Sequence, residues 1–243
     1  MNIKVIVFDF DGTIADTRDA IVEITNRLSG EFGYKPVSPK EVSQLRDLNS
    51  KEIIRRSEIP LTKLPFLLRR LKLELGQKVY RLQPVYGVAS ALAELKGQGY
   101  QVGIVTSNSE ENVVTFLENN QLSELFEFIY SGSTLFGKNQ VINNFIKGNN
   151  LASEAVVYVG DETRDIEAAR KSKIKVVAVS WGFNSRDALA QYRPDFLIDE
   201  PQNLVEAIAL LASSPQAVPK KEKNRLIKTL SSYVRNRVTF WRS

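Results

Sequence analysis

Residues 5–17 read VIVFDFDGTIADT, a run of apolar residues that ends in two aspartates separated by one phenylalanine. The apolar and mostly β-branched start of this stretch predicts a buried strand, and the glycine after the second aspartate predicts a turn. Side chains alternate along an extended chain, so Asp9 and Asp11 are expected to point to one side and Phe10 to the other. The stretch therefore brings two carboxylates into one small volume at the exit of a buried strand.

Two carboxylates this close repel each other unless a cation neutralises them or one of them takes up a proton. We therefore expect Asp9 and Asp11 to differ in character. One would act as a nucleophile or metal ligand, and the other as an acid. Gly12 allows a tight turn and lets backbone N–H groups face an anion.

Composition excludes several kinds of chemistry. The chain of 243 residues has 43% hydrophobic content, enough for one substantial core or for a core with a smaller second domain. It contains no cysteine and no histidine, which excludes disulfides, thiolate or histidine metal sites, and Ser-His nucleophile pairs. No apolar run approaches the roughly 18 residues of a membrane-spanning helix, and the first residues become acidic too early for a secretory signal. We therefore expect a cytoplasmic protein.

Short aliphatic runs alternate with longer helical patterns, which predicts an α/β fold with a doubly wound, mostly parallel sheet. The predicted strands are Ile3–Phe8, Val102–Thr106, Phe128–Tyr130, Ala155–Val159, Val176–Val179 and Phe196–Ile198. The predicted helices are Val88–Leu95, Ser109–Asn119, Val141–Lys147, Arg164–Lys171 and Leu204–Leu211.

Residues 14–82 break this rhythm, because they contain amphipathic helical stretches and no convincing strand. Three signals predict helices there. They are the apolar face of Ile21, Ile24 and Leu28 after an Asp16-Thr17 cap, the capping box Ser38-Pro39-Lys40-Glu41, and the stripe of Leu64, Leu67, Leu68, Leu71 and Leu75, in which Gly76 is expected to be a tolerated interruption. The segment therefore predicts a small helical domain inserted after the first strand.

The basic character of the chain belongs to its last 29 residues, 215–243. This segment has eight Lys or Arg and one Glu, against a net charge of +5 for the whole chain. Its apolar residues recur at helical spacing between basic ones, a pattern compatible with an anionic membrane surface, nucleic acid or a partner groove. A basic helix packed on its own core, or a frayed end, is the simpler interpretation.

Polar residues follow three more of the predicted strands, at the edge where open α/β sheets bind ligands. GIVTSNSEEN places Thr106, Ser107 and Asn108 between a strand and a helix, where hydroxyl and N–H groups can bind phosphate. VVYVGDETRDIEAA provides Asp161 and Asp165, oxygen ligands of the kind that Mg²⁺ prefers. LFGKNQ puts Lys138 after a short strand, as a point charge for a phosphoryl oxygen.

With these stretches in this order, the chain resembles the haloacid dehalogenase superfamily, and within it the phosphatases similar to phosphoglycolate phosphatase. The resemblance runs from Val5 to about Asp199. It implies a core domain of residues 1–13 and 83–214 and a helical cap of residues 14–82, which closes over the site and selects the substrate. LQPVYGVASALAELKGQGY, residues 82–100, looks like the usual return from cap to core.

The resemblance also implies a role for each site residue. Asp9 would be the nucleophile that forms an aspartyl-phosphate, and Asp11 would protonate the leaving oxygen and later activate water. Mg²⁺ would be bound by a carboxylate oxygen of Asp9, the backbone carbonyl of Asp11 and the side chain of Asp161, with Asp165 supporting that shell. The phosphoryl oxygens would be held by Thr106 and Lys138, and the other expected phosphate contacts are Gly12, Ser107 and Asn108.

Several assignments have alternatives. Lys147 or Lys171 could replace Lys138, because Asn139-Gln140 follows it where many relatives have proline. Asp165 could be a helix N-terminal acid stabilised by the dipole, and Glu162 a solvated neighbour. Ser107 and Asn108 could simply cap the following helix.

The function has alternatives as well. A phosphosugar mutase would keep every core residue named above, and only the cap would distinguish it. A protein that binds an anion or a partner through the basic tail, without turnover, is the alternative from another class. Small phosphate monoesters such as 2-phosphoglycolate are the expected substrates, followed by sugar phosphates and nucleoside monophosphates. Four cap residues could recognise a substrate carboxylate or second phosphate, namely Arg46, Lys51, Arg55 and Arg56. Solvated charges on the helix surface are the simpler interpretation of these four residues.

Overall fold

A computed structural model of the chain describes residues 3–131 and 137–213. Six parallel strands form one sheet in the order β3-β2-β1-β4-β5-β6. The strands are β1 (Val5–Phe8), β2 (Gln101–Val105), β3 (Phe128–Tyr130), β4 (Val156–Gly160), β5 (Lys175–Val179) and β6 (Phe196–Ile198). The predicted doubly wound parallel sheet is confirmed, with strand ends that differ from the prediction by at most two residues.

Ten α-helices accompany the sheet within the described part of the chain. They are α1 (Arg18–Phe32), α2 (Pro39–Leu45), α3 (Ser50–Arg56), α4 (Leu64–Gly76), α5 (Val88–Gly97), α6 (Glu110–Asn119), α7 (Lys138–Gly148), α8 (Thr163–Lys171), α9 (Arg186–Gln191) and α10 (Leu204–Ser213). The five helices predicted beyond residue 83 all form.

The sheet is buried on both faces, as its continuous apolar strands require. Successive residues of β1 enter different apolar clusters. Ile6 and Phe8 pack with side chains of α5, α6 and α10, whereas Val5 and Val7 pack with those of α7, α8 and α9. Two helical layers therefore cover the sheet, and β1 lies in its middle.

The strand order reverses at β1, because the chain moves outward to β2 and β3 and then returns to β4 on the other side. Open α/β sheets bind ligands at such a point, beyond the carboxyl ends of the strands. The ends of β1, β2 and β4 carry Asp9, Thr106 and Asp161. The topology thus gathers these predicted site residues at one edge of the sheet.

The segment predicted to be a cap contains α1 to α4 and has an apolar cluster of its own. This cluster is formed by Ile24, Leu28 and Phe32 of α1 with Leu67 and Leu75 of α4. The segment and the sheet belong to one compact unit, Asn2–Ala212, so the division into two domains stays a prediction.

The two connections of this segment are joined to each other. Val85 donates its backbone N–H to Ile14 at 2.9 Å, and Asp16 donates to Gln83 at 3.0 Å. Ile14 and Ala15 are fully buried in the apolar cluster of the sheet. The first helix of the segment, α1, begins after these residues, at Arg18.

Short polar helices account for most of the differences from the predicted elements. The helices α3 and α9, of seven and six residues, are not predicted by hydrophobic periodicity. The capping box of α2 between Ser38 and Glu41 is confirmed, but Thr17 makes no side-chain cap hydrogen bond at α1. Gly76 ends α4 and does not interrupt a longer helix, because Gln77 already occupies the C-cap position.

The basic tail, residues 215–243, lies outside the described residues, and its predicted helix and partners stay predictions. Within residues 3–131 and 137–213, no helix combines the length and apolar character needed to cross a bilayer.

Candidate active site

Asp9 follows β1 directly and is almost completely buried. Its backbone N–H donates to Val159 of β4 at 2.8 Å, which continues the pairing of these strands by one residue. Phe10 turns the other way into the core, where its ring meets Phe116 edge to face with centroids 5.1 Å apart. The opposite directions predicted for Asp9 and Phe10 are therefore found.

Lys138 lies between two carboxylates. Its Nζ is 2.8 Å from Asp9 Oδ2 and 2.6 Å from Asp165 Oδ1, and all three side chains are buried. Burial disfavours the ammonium charge, but Asp165 and Asp9 hold the pKa of Lys138 above its usual value. The alternatives Lys147 and Lys171 are both exposed, so the structure places Lys138 next to the nucleophile candidate.

The position of Lys138 differs from the prediction in one respect. Helix α7 starts at Lys138, three residues before the predicted start at Val141. A cation at a helix N-terminus is unfavourable for the helix dipole. The carboxylates of Asp9 and Asp165 offset this cost, so the ion pairs fix both the lysine and the beginning of the helix.

Asp161 follows β4 and is completely buried. Its Oδ1 accepts a hydrogen bond from Thr13 Oγ1 at 2.6 Å, and its Oδ2 accepts one from the N–H of Phe183 at 2.7 Å. Burial and the neighbouring charges of Glu162 and Asp9 raise the pKa of Asp161 well above its ordinary value. Because its charged form is destabilised in this way, the Asp161 carboxylate is a good candidate for neutralisation by a cation.

Asp165 is both a helix cap and a member of the site. Its Oδ2 accepts the N–H of Glu162 at 3.1 Å, as part of a capping box at the start of α8. Its Oδ1 meets Lys138, as described above. Burial raises the pKa of Asp165 to about 6, although Lys138 acts in the opposite direction. The helix N-terminal role of Asp165 is therefore found, and its support of a metal shell stays a prediction.

The carboxylates of Asp9, Asp161 and Asp165 could hold a divalent metal ion. One oxygen from each lies within 4.8 Å of the others, and all three residues are buried. Carboxylate oxygens are the hard ligands that Mg²⁺ prefers. The donor set fits Mg²⁺, and each of the three carboxylates is already oriented by partners at both of its oxygens.

Asp11 is only partly buried and has a different environment. The side-chain amide of Asn108 donates to it, with Nδ2 3.2 Å from Oδ1 and 3.0 Å from Oδ2. Burial and the repulsion of Asp9 raise the pKa of Asp11 to about 7. Asp11 therefore holds a proton much more readily than an ordinary aspartate at neutral pH, which is what a general acid requires.

The residues after β2 have three different positions. Thr106 is completely buried, and its Oγ1 accepts the N–H of Asn108 at 3.0 Å. Ser107 is partly exposed. The N-cap of α6 is Ser109, whose Oγ accepts from Asn112. Asn108 is therefore not the cap residue, because it contacts Asp11 instead.

Gly12 has the predicted tight turn, with φ of +77°. Its N–H donates to the carbonyl of Ala15 at 2.9 Å, so the amide is engaged within the turn, a partner that the sequence did not predict. A Cβ at Gly12 would lie 2.5 Å from Asp161 Oδ2, and one at Gly182 would lie 2.1 Å from the same atom. These two glycines let Asp161 approach closely.

Glu162 is not the solvated neighbour that was predicted. It binds Arg164 through two contacts, of 2.8 Å from Nε and 2.6 Å from the terminal nitrogen, and it accepts from Ser50 of α3 at 3.2 Å. Arg164 is mostly buried, and its charge lowers the pKa values of Asp11 and Asp165, against the effect of burial. Sequence reasoning missed Arg164, although its place within the Gly-Asp-x-x-x-Asp stretch was a signal.

Among the four cap cations named from the sequence, Arg46 has partners that were not predicted. The guanidinium of Arg46 donates to the carbonyls of Ser180, Gly182 and Phe183, at 3.2 to 3.3 Å, so it fastens α2 to the loop that holds Asp161. Arg55 is exposed. Arg56 and Lys51 are exposed as well. A further cation of this segment, Lys72 of α4, is half-buried, and the charge of Asp11 raises its pKa while burial lowers it.

The fold and the site define a class of hydrolase. A family model described as haloacid dehalogenase-like hydrolase matches residues 6–179, and the chain belongs to this family. It is 38% identical over 208 residues to a phosphoglycolate phosphatase of Synechococcus elongatus, which covers 86% of this chain and 98% of that protein. The predicted resemblance to this superfamily and to its phosphatases is confirmed.

Two further comparisons agree with this assignment. The pyrophosphatase PpaX of Bacillus mycoides is 26% identical over 218 residues, covering 86% of this chain and 98% of that protein. The crystal structure of a "predicted phosphoglycolate phosphatase" from Haemophilus somnus has a TM-score of 0.70 at 20% identity, covering 86% of this chain and 99% of that one. The second comparison concerns the fold alone.

Proposed function

We propose that the chain is a Mg²⁺-dependent phosphatase that hydrolyses small phosphate monoesters such as 2-phosphoglycolate through a phosphoryl group carried on Asp9. One observation carries the proposal. The two aspartates that follow β1 are in unequal states, because Asp9 is buried against Lys138 at 2.8 Å while the pKa of Asp11 is raised to about 7. This is the difference that a nucleophile and a general acid need.

In the first step, a carboxylate oxygen of Asp9 attacks phosphorus, and the bond between phosphorus and the ester oxygen breaks. Asp11 gives its proton to the departing oxygen, so the product leaves as an alcohol. Lys138 and Thr106 hold the phosphoryl oxygens, and Lys138 offsets the charge that accumulates beside Asp9.

In the second step, the now ionised Asp11 takes a proton from a water molecule, and the oxygen of this water attacks phosphorus. The bond between phosphorus and Asp9 breaks, which releases inorganic phosphate and returns both aspartates to their starting states. Asn108 stabilises the ionised form of Asp11 in the interval, because its amide donates to both carboxylate oxygens.

Mg²⁺ would be held by Asp9, Asp161 and the backbone carbonyl of Asp11, with Asp165 supporting them, and it would supply neutralisation of the phosphoryl charge. The hydrogen bonds of Thr13 and Phe183 to Asp161 orient that carboxylate. Buried carboxylates with raised pKa values favour the binding of a cation at this place.

The substrate class is supported by the name of the relative that is 38% identical, a phosphoglycolate phosphatase, and by one cation of the helical segment. Lys72 is half-buried, and within the described residues it forms no ion pair. Burial lowers the pKa of Lys72, whereas the charge of Asp11 raises it. A leaving group bonded near Asp11 and carrying its own carboxylate would meet this ammonium group. The cytoplasmic location expected from the sequence remains part of the proposal.

The test is phosphate release from a panel of phosphate esters, with and without Mg²⁺. The panel contains 2-phosphoglycolate, sugar phosphates, nucleoside monophosphates, pyrophosphate and p-nitrophenyl phosphate. We expect Mg²⁺-dependent release from small monoesters and its loss in Asp9→Asn, with Glu94→Gln as a distant control. Activity that persists in Asp9→Asn would refute the assigned nucleophile.

The same panel separates the two alternatives. Interconversion of phosphosugars without net phosphate release would favour the mutase. A wild-type chain that releases no phosphate from any ester would favour the non-catalytic binding protein. Truncation after Ser214 then tests the tail, because anion or nucleic-acid binding should vanish with it under that alternative.

A further inference from the structure

Two buried amides link a helix of the cap segment to the candidate acid. Asn108 and Asn112 are 3% and 6% exposed, respectively. Asn112 Nδ2 donates to the carbonyl of Lys72 in α4 at 3.0 Å and to Asn108 Oδ1 at 2.9 Å. Asn108 Nδ2 in turn donates to both carboxylate oxygens of Asp11. A continuous row of hydrogen bonds therefore runs from the backbone of α4 to Asp11.

The partners fix the orientation of both amides. A backbone carbonyl and a carboxylate only accept hydrogen bonds, so the NH₂ group of each asparagine must face them. The oxygen of Asn108 is then turned toward two donors, Asn112 Nδ2 and the N–H of Ser109 at 2.8 Å. If either amide rotated by half a turn, oxygen would face oxygen. Each hydrogen bond between α4 and Asp11 therefore has one possible direction of donation.

The contact with α4 is too close to shift without consequence. A Cβ added at Gly76 would lie 2.5 Å from Asn112 Oδ1. Asn112 is therefore enclosed between the last turn of α4, where it meets Lys72 and Gly76, and the start of α6. Any displacement of α4 relative to α6 must break the hydrogen bond to Lys72 or move the Asn112 amide with it.

We propose that Asn112 is a positioning residue, which couples the location of α4 to the orientation of the Asp11 carboxylate through Asn108. The inference rests on the proposed function, in which Asp11 protonates the leaving group. In the proposed mechanism, Asn112 contacts neither substrate nor metal. When α4 is seated, the Asn108 amide holds Asp11 in one orientation, and when α4 moves away, that constraint is lost.

The first experiment compares two substrates with different leaving groups in the variant Asn112→Asp. The new side chain has the same shape as asparagine, but its carboxylate cannot donate a hydrogen bond to Lys72 or Asn108. An alkyl phosphate needs a proton from Asp11, whereas p-nitrophenyl phosphate has a leaving group that departs without one. We expect kcat/KM for 2-phosphoglycolate to fall roughly tenfold and that for p-nitrophenyl phosphate to change by less than about twofold. Equal losses on both substrates, or no loss on either, would overturn the proposal.

The second variant changes the same contact between Asn112 and α4, but the substitution lies in α4. Gly76→Ala places a methyl group against Asn112 and should reproduce the leaving-group dependence of Asn112→Asp. The matched control is Gly30→Ala, because a Cβ at this glycine of α1 meets nothing within 4 Å. The effects of Gly76→Ala and Asn112→Asp should be non-additive in the double variant, since both act on one contact. Additive losses would show that the two substitutions do not act through the same contact, which would contradict the proposal.

A measurement without turnover separates this inference from the proposed function. The side-chain NH₂ resonances of Asn108, identified by their absence in Asn108→Asp, should shift in Gly76→Ala and stay unchanged in Gly30→Ala. If the wild type proves inactive but this shift occurs, the proposed function fails and the coupling stands. If the wild type hydrolyses esters but Gly76→Ala leaves the resonances in place, the coupling fails alone.

Discussion

The ammonium group of Lys138 lies 2.8 Å from the carboxylate of Asp9, and both side chains are buried. Asp165 completes the group, 2.6 Å from the same nitrogen. One cation thus balances two buried carboxylates, one directly after β1 and the other in α8. The ion pair between Lys138 and Asp9 therefore both positions the candidate nucleophile and contributes to the stability of the fold.

We predict that Lys138→Met lowers the free energy of unfolding by about 3–5 kcal/mol, because it leaves two buried carboxylates without their cation. The loss should be smaller at acidic pH, where these carboxylates can take up protons. Urea denaturation at several pH values measures both effects. Lys147→Met, at an exposed position of the same helix, should change stability by less than about 0.5 kcal/mol. Equal stabilities of the two variants would contradict the prediction.

The stability of the metal-free protein should decrease as pH rises from about 4 to about 7. Burial raises the pKa of Asp11 to about 7 and that of Asp165 to about 6, and it raises that of Asp161 well above its usual value. In this pH range these three carboxyl groups bind more protons in the folded chain than in the unfolded chain. The free energy of unfolding therefore falls with rising pH.

Mg²⁺ should oppose this decrease, because it binds ionised carboxylates. We expect the increase of Tm caused by Mg²⁺ to be larger at about pH 8 than at about pH 5.5. Thermal unfolding with Mg²⁺ or with a chelator checks it. Asp161→Asn should remove most of the increase, and an undiminished increase in that variant would place the ion elsewhere.

Gly182→Ala should weaken Mg²⁺ binding, because its Cβ would lie 2.1 Å from Asp161 Oδ2 and must displace that carboxylate. We expect the Mg²⁺ concentration for half-maximal activity to rise at least about tenfold. Gly97→Ala is the matched control, since nothing lies within 4 Å of a Cβ there. If both variants titrate with Mg²⁺ like the wild type, Asp161 does not depend on the space at Gly182.

Lys72→Met should raise KM for 2-phosphoglycolate by roughly tenfold, because the lost ammonium group would pair with the substrate carboxylate. For p-nitrophenyl phosphate, which has no carboxylate, KM should stay within about twofold. Arg69→Met is the control, as it removes a positive charge from an exposed position of the same helix. Similar KM changes for both substrates would show that Lys72 does not recognise the carboxylate.

The sheet and the acidic residues were predictable for a common reason. Parallel strands buried on both faces leave long apolar runs in the sequence, and residues that follow such runs must meet at one edge. Asp9, Asp161 and Thr106 were found by this argument alone. The turn at Gly12 was also predictable, because a positive φ favours glycine.

The contacts between helices were not predictable from local patterns. Asn112 looks like a polar residue on the solvent side of α6, and only the packing of α4 shows that it is buried. Arg46 looks like a solvated cation, and its three carbonyl partners lie more than 130 residues away in the chain. The start of α7 at Lys138 depends on Asp9 and Asp165, which no local signal near Lys138 indicates.

The hydrogen bonds that join Ile14 to Val85 and Asp16 to Gln83 bear on how such a protein can diversify. The two ends of the segment that carries α1 to α4 lie side by side next to the sheet, so a different segment could be joined at these two junctions with little change elsewhere in the chain. A different helical segment between these junctions would leave the aspartates, the lysine and their glycine neighbours in place.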